Sequence, residues 1–271
     1  MLDSRSIYLR QIILNSMIDA KKGHLGGAFS SIDILRVLYD DILNYDLNNV
    51  SWELRDRLIY SKGHGCLALY AILADKGFID KKELKNCFNF DSRLGGHPEP
   101  IIPGVEVPTG SLGHGLAIGV GMAIAGKIDN SQSRIFVIIG DGESQEGSVW
   151  EAAMAGSNFH LDNLTVILDC NGVQEMGTVR DISGIKDWIS KWQSFGWDVE
   201  SIDGHDVNAL YESFSHKNKK DTPQLIIANT VKGKGVSIME NNTTGWHYKM
   251  PSKREMKVFV KELSITEKEL K

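Results

Sequence analysis

Cysteine is scarce in this chain. Three residues, Cys66, Cys87 and Cys170, are spread over 271 positions, too few and too irregularly spaced for a disulfide framework or a thiolate metal site. Free thiols in a reducing cytoplasm are the expectation. No apolar run exceeds strand length, so no membrane span is expected. The polar opening MLDSRSIYLRQ has no signal-peptide core. Positive charge is not in excess either: 30 Lys and Arg stand against 35 Asp and Glu, and a net charge of −5 argues against nucleic acid or an anionic membrane as partner. Proline numbers six, and four of these fall with six glycines between residues 91 and 115. A loop of that length inside a compact domain is usually functional or disordered, and its apolar content (Ile101, Ile102, Val105, Val107, Leu112) favours an ordered one. Repeats, low-complexity tracts and linkers are missing. The expectation is one domain over 1–271, with its core in 5–250 and a charged, partly helical tail in 251–271.

What is present alternates between two periods. Residues 4–21 place Ile7, Ile12, Ile13, Met17 and Ala20 on one helical face, and Lys21-Lys22-Gly23 reads as a left-handed stop. Ser30-Ser31 reads as the cap of a second helix running to about Leu43. RLIYS (57–61) is a short strand, CLALYAILADKG a helix ending at Gly77, and GLAIGVGMAIAGK a Gly/Ala-rich helix that looks buried. Further strands are expected in Ile135–Ile139, Leu164–Leu168, 197–203 and 223–230. Between them lie a helix over about Ser148–Asn158 and one capped by Asp206. This alternation predicts an α/β fold with a mostly parallel sheet flanked by helices.

The centre of that pattern is residues 134–173. One strand stops at Gly140-Asp141-Gly142, a helix follows, and the next strand stops at Asp169-Cys170-Asn171-Gly172. Polar residues past the carboxyl ends of adjacent parallel strands occupy the edge where such sheets bind ligands. Gly-Asp-Gly alone is an ordinary strand-ending turn. With Asn171 thirty residues further on, Asp141 and Asn171 form a hard-oxygen pair suited to Mg²⁺ or Ca²⁺, with the Val173 carbonyl within reach of the same ion. Gly140 and Gly142 leave the backbone open to a phosphate. Glu146, read alone, is an ordinary first-turn helix acid. Five histidines (His24, His64, His97, His114, His247) sit in the loop sequences KGHLGG, SKGHG, GGHPEP, LGHG and GWHYK. A lone loop histidine is usually solvated. Five such loops suggest hydrogen-bonding and acid/base groups around a ligand.

GDG followed at this distance by Asn resembles the thiamine diphosphate signature. The full segment GDGESQEGSVWEAAMAGSNFHLDNLTVILDCNGVQ is similar to its transketolase version, and KGHLGG, SKGHG, GGHPE and PTGSLGHG are similar to that family's other N-terminal motifs, in order. The resemblance, from about residue 5 to 250, implies the diphosphate-domain fold that binds thiamine diphosphate. It implies a divalent ion (Mg²⁺, with Ca²⁺ or Mn²⁺ able to replace it) on Asp141, Asn171 and the Val173 carbonyl. It further implies that Gly142, His64 and His247 contact the diphosphate side, and that Gly110, Ser111 and Leu112 border the two rings. His24, His97 and His247 would face the sugar near the reacting carbon. Glu146 matches the acid that links paired cofactor sites across a subunit interface. Two departures stand out: His114 replaces the usual Gln of L-G-Q-G, and residues 174–180 lack the usual Asp-Gly step.

A full transketolase continues into a domain that supplies the glutamate activating the pyrimidine ring. The resemblance therefore implies the N-terminal subunit of a split transketolase, transferring a two-carbon ketol unit from a ketose (phosphate) to an aldose (phosphate). A C-terminal subunit would complete it, with an α2β2 heterotetramer as the family-based expectation and a cytoplasmic location. The alternatives are the α subunit of a 2-oxoacid dehydrogenase, which shares GDG and Asn but not the histidine loops, and a non-catalytic regulatory subunit that keeps the fold.

Overall fold

The computed structural model describes residues 2–185 and 187–265. The chain opens with α1 (Ser4–Ala20), capped by the Asp3 side chain on the Ser6 amide, and α2 (Leu25–Val37), which closes in a wider turn over Leu38–Ile42. Strand β1 (Arg57–Tyr60) leads through a turn at Gly63–Gly65 into α3 (Cys66–Lys76). The long loop ends at α4 (His114–Ile128), followed by β2 (Ile135–Gly140), α5 (Gly147–Asn158) and β3 (Leu164–Cys170). A small hairpin, β4 (Val173–Gln174) with β5 (Gly177–Thr178), then gives way to α6 (Val179–Ser183) and α7 (Trp188–Ser194). β6 (Asp198–Asp203), α8 (Val207–Ser215), β7 (Gln224–Asn229), α9 (Ser237–Glu240) and α10 (Lys253–Glu262) complete the order. The last part of the expected charged tail, 266–271, lies outside the described residues.

Five strands pair in parallel in the order β1-β2-β3-β7-β6. β2 is buried along its whole length because both faces are covered, and its residues divide by parity. Phe136 and Ile138 pack with Leu9, Phe29 and Tyr70 on one face; Ile135, Val137 and Ile139 pack with Leu116, Val149 and Trp192 on the other. The sheet's order departs from chain order between β3 and β7, so the carboxyl edges of these neighbours open the crevice where α/β sheets bind ligands.

Three local expectations are corrected. The left-handed residue closing α1 is Lys21 (φ 56°), not Gly23 two positions on. α2 begins at Leu25, so Ser30 and Ser31 lie inside it rather than capping it. The Ser31 hydroxyl donates back to the Gly27 carbonyl (3.0 Å) and meets the Tyr60 hydroxyl (2.7 Å), while Ser30, 3.0 Å from the same carbonyl, gives its one proton to Asp169 (2.7 Å). In a helix this buried, serines act as cross-links. α4 is buried on one face only: Leu116, Val120 and Ala123 are covered, while Ala117, Gly121 and Ala125 are exposed. Among the described residues no helix is long and apolar enough to cross a membrane.

Candidate active site

The parallel sheet delivers polar groups from four strand ends to one place. After β1 come Lys62 and His64; after β2, Asp141 and Gly142; after β3, Asn171 and Val173; after β7, Lys232. They line a cavity of about 370 Å³ together with His24, His97, Gly110, Leu112, Glu146 and His247. Ser111 is apart: it is exposed, and its hydroxyl lies 3.3 Å from Nδ1 of His114, which is itself exposed and outside the cavity.

Asp141 is 1 % exposed. Its Oδ1 accepts from the Gly142 amide (2.8 Å) and its Oδ2 from the Gly172 amide (2.5 Å), so one carboxylate ties the β2 turn to the β3 turn. Burial and then the neighbouring Asp169 push it up to about 7. It makes no ion pair among the described residues. Asn171 Oδ1 accepts from the Val173 amide (3.1 Å), an Asx turn that bends the chain between β3 and the hairpin. Gly142 has no room for a side chain, since a Cβ would fall 2.8 Å from that of Gln174.

The histidines cluster as neighbours. The His24 ring centroid is 5.2 Å from that of His64 and 5.1 Å from that of His247, and Tyr248 packs 4.7 Å from His24. Burial, then His247, His97 and Lys232, bring His24 down to about 4; burial, then Lys232 and Lys62, do the same to His247. His64 falls well below its ordinary value through burial and then Lys62. All three imidazoles are therefore neutral at pH 7, able to donate one proton and accept another. His97 comes from the long loop, held from behind by α3: the Tyr70 hydroxyl donates to the Gly95 carbonyl (2.9 Å) and Cys66 Sγ lies 3.2 Å from that of Gly96. Its ring rests on the backbone of Gly110, whose φ of +134° suits glycine and whose Cβ would lie 2.6 Å from His97 Cδ2.

Three functional or bracing residues escaped the sequence reading. Lys62 is buried and ion-paired with Asp169, which also accepts from Ser30 and Thr230. Glu143 is buried and accepts from Ser61 Oγ, the Gly113 amide (2.9 Å) and the Gly140 amide (3.0 Å), joining three segments of the rim. Lys232 is 4 % exposed and donates to His247 Nδ1 at 2.9 Å; burial and then Lys62 lower it to about 8. A signal existed for Lys232, because VKGKG follows the carboxyl end of a parallel strand just as GDG does. The three thiols are free and raised by burial, so none is poised as a nucleophile.

Residues 3–266 match the family model described as transketolase, thiamine diphosphate binding domain. The chain belongs to the transketolase family. It is 42% identical over 258 residues to an apulose-4-phosphate transketolase subunit of Phocaeicola vulgatus, a match covering 94% of this chain and 91% of that protein. It is 38% identical to the 6-deoxy-6-sulfo-D-fructose transketolase subunit SqwG of a Clostridium species, covering 89% of each. Among solved structures, transketolase from Campylobacter jejuni superposes with a TM-score of 0.87 at 29% identity. That superposition covers 98% of this chain but 44% of the Campylobacter chain. These relatives are transketolases or transketolase subunits, and they do not favour the 2-oxoacid dehydrogenase alternative.

Proposed function

We propose that this chain, folded as one domain, is the cofactor-diphosphate subunit of a two-subunit transketolase that moves a two-carbon ketol unit from a ketose to an aldose. One observation carries the reading: the buried Asp141 carboxylate, Asn171 and Val173, two lysines and four histidines from separate loops converge on one cavity at the sheet's carboxyl edge. Thiamine diphosphate supplies the carbanion-stabilising chemistry when bound. The residues fit its anionic end. Lys232 is a buried ammonium whose partner among these residues is a neutral imidazole, a state an anion beside it would stabilise. His64 and Gly142 line the same cavity.

Asp141, Asn171 and the Val173 carbonyl would hold Mg²⁺. A carboxylate this buried keeps its charge only beside a cation, and one carboxylate with neutral oxygens is the donor set of a phosphate-bound Mg²⁺. Among the described residues no three His, Cys, Asp or Glu side chains converge to hold a softer metal. His24, His97 and His247 would then bind the sugar hydroxyls beside the reacting carbon and take and return their protons, a role worth roughly 10²–10⁴-fold. Glu146, exposed at the start of α5, would meet a second copy of the chain, within an α2β2 assembly.

The pyrimidine-activating glutamate is assigned to a C-terminal partner subunit, as are the groups that grip the sugar phosphate. The purified chain is expected to show no ketol transfer alone and to gain it on mixing with that partner. Robust turnover by the lone chain would overturn the two-subunit reading. No gain with the partner, despite tight cofactor binding, would favour a regulatory role. In the reconstituted enzyme Gly110→Ala is expected to push His97 from its place. Displacing a catalytic group by about 1 Å lowers kcat by up to ~10²-fold. The loss is read as kcat at saturating cofactor, and an unaltered kcat would remove His97 from the chemistry.

A further inference from the structure

We infer that Arg10, Asp33 and His205 form a buried bracket whose task is to position Lys232. All three lie outside the cavity and are not used by the chemistry above. Arg10 and Asp33 are fully buried, and the guanidinium grips the carboxylate bidentately, Nη1 to Oδ1 at 2.9 Å and Nη2 to Oδ2 at 2.7 Å. Its other donors go to the carbonyls of Ser6 (3.1 Å), Phe29 (3.0 Å) and Lys234 (2.8 Å), so all five N–H groups are engaged.

His205 extends the bracket. Its Nδ1 lies 2.8 Å from Asp33 Oδ2, and its Nε2 accepts from the Val231 amide at 2.9 Å. An accepting Nε2 carries no proton, so Nδ1 holds it and donates to Asp33. The pieces come from α1, α2 and the turn after β6, and they converge on one segment. Val231 is held by His205, Lys234 by Arg10, and the Gly233 amide between them donates to the Gly26 carbonyl at 3.1 Å. Lys232 is the side chain that leaves this clamped segment for the cavity.

A lysine stem is flexible, and holding its base limits the freedom it loses on binding an anion. A plain core ion pair would not need to touch residues on both sides of Lys232 in this loop. The inference rests on the reading of Lys232 as a diphosphate ligand, and the experiment separates the two. Thiamine diphosphate binding with Mg²⁺ is measured by calorimetry on the chain reconstituted with its C-terminal partner for wild type, Lys232→Met, His205→Asn, His205→Gln and Lys232→Met/His205→Asn.

Asn can keep the donor to Asp33 but lacks an acceptor at the Nε2 position, whereas Gln can place an acceptor there. Loss of the Val231 bond in His205→Asn is expected to weaken binding about tenfold, and His205→Gln to restore most of it. In the Lys232→Met background His205→Asn should add less than about twofold, because the two act through one contact. Wild-type affinity in His205→Asn, or losses that multiply in the double variant, would overturn the bracket's role. Lys232→Met binding like wild type would instead overturn Lys232 as a ligand, and absence of binding by the wild-type chain reconstituted with its partner would overturn the diphosphate site. Urea unfolding of each variant identifies any that fails to fold, and the His205→Gln rescue then decides.

Discussion

Asp141→Ala is expected to reduce Mg²⁺-dependent binding of thiamine diphosphate by at least ~100-fold, the upper end of what changes to groups merely supporting the ligands cost a metal site. Calorimetry on wild type and variant, with and without Mg²⁺, reads it directly. For the wild type, thiamine diphosphate should raise the melting temperature when Mg²⁺ is present and much less after chelation, since only a ligand that binds the native state stabilises it. The variant should show no such difference. Without any ligand the variant's stability should change by only about 1 kcal/mol, because the part-buried Gly142 and Gly172 amides lose their acceptor but stay within reach of water, while a carboxylate whose charge burial disfavours is removed. The Mg²⁺ dependence separates the two effects. Equal, Mg²⁺-dependent affinity in both proteins would refute the assignment of Asp141.

The second large effect concerns Lys62 and Asp169, both almost wholly buried. Asp169→Asn leaves an ammonium in the interior without its counter-charge, a change that costs about 3–5 kcal/mol. Against a typical native stability of about 5–15 kcal/mol, that should move the urea midpoint strongly downward. Lys62→Met/Asp169→Leu, which removes both charges, should recover much of the loss, since a buried pair adds little once its desolvation is counted.

The pH dependence follows from the directions of the shifts. Lys62 and the hydroxyls of Thr230 and Ser30 hold Asp169 below its ordinary 3.8 despite burial. Its contribution is present above that value and is lost as pH falls through the lower folded value. Asp169 raises Lys62 above its ordinary 10.5, so its contribution is complete below 10.5 and fades only in more alkaline solution. Stability from the pair should therefore be flat across neutral pH. A midpoint that declines between pH 6 and 8 in wild type but not in the double variant would contradict this.

Some of the site was legible in the residues alone. Asp141, Asn171 and His64 all follow parallel strands, and strands of this kind announce themselves by short apolar runs. The long 91–115 loop was recognisable by its glycines and prolines, but not its support. Tyr70 and Cys66 read as ordinary residues of a small-residue helix, and nothing local says that they hold the carbonyls before His97. Ser111 is a different case. It lies between two residues that line the cavity, yet the turn aims its hydroxyl at His114.

The order of strands and helices, the carboxyl-edge loops and the candidates Asp141, Asn171 and the loop histidines could all be read along the chain. Periodicity and strand-end chemistry are local, and a single sequence records them. Which charges are held in check could be known only after folding. Lys62 meets Asp169 across 107 positions, Arg10 meets Asp33 across 23 and His205 meets Asp33 across 172. Such pairings depend on which strand lies beside which, and the β3–β7 adjacency that brings Thr230 to Asp169 skips over β6 in the chain. Burial then sets the protonation of each group, and burial is a property of the packed whole.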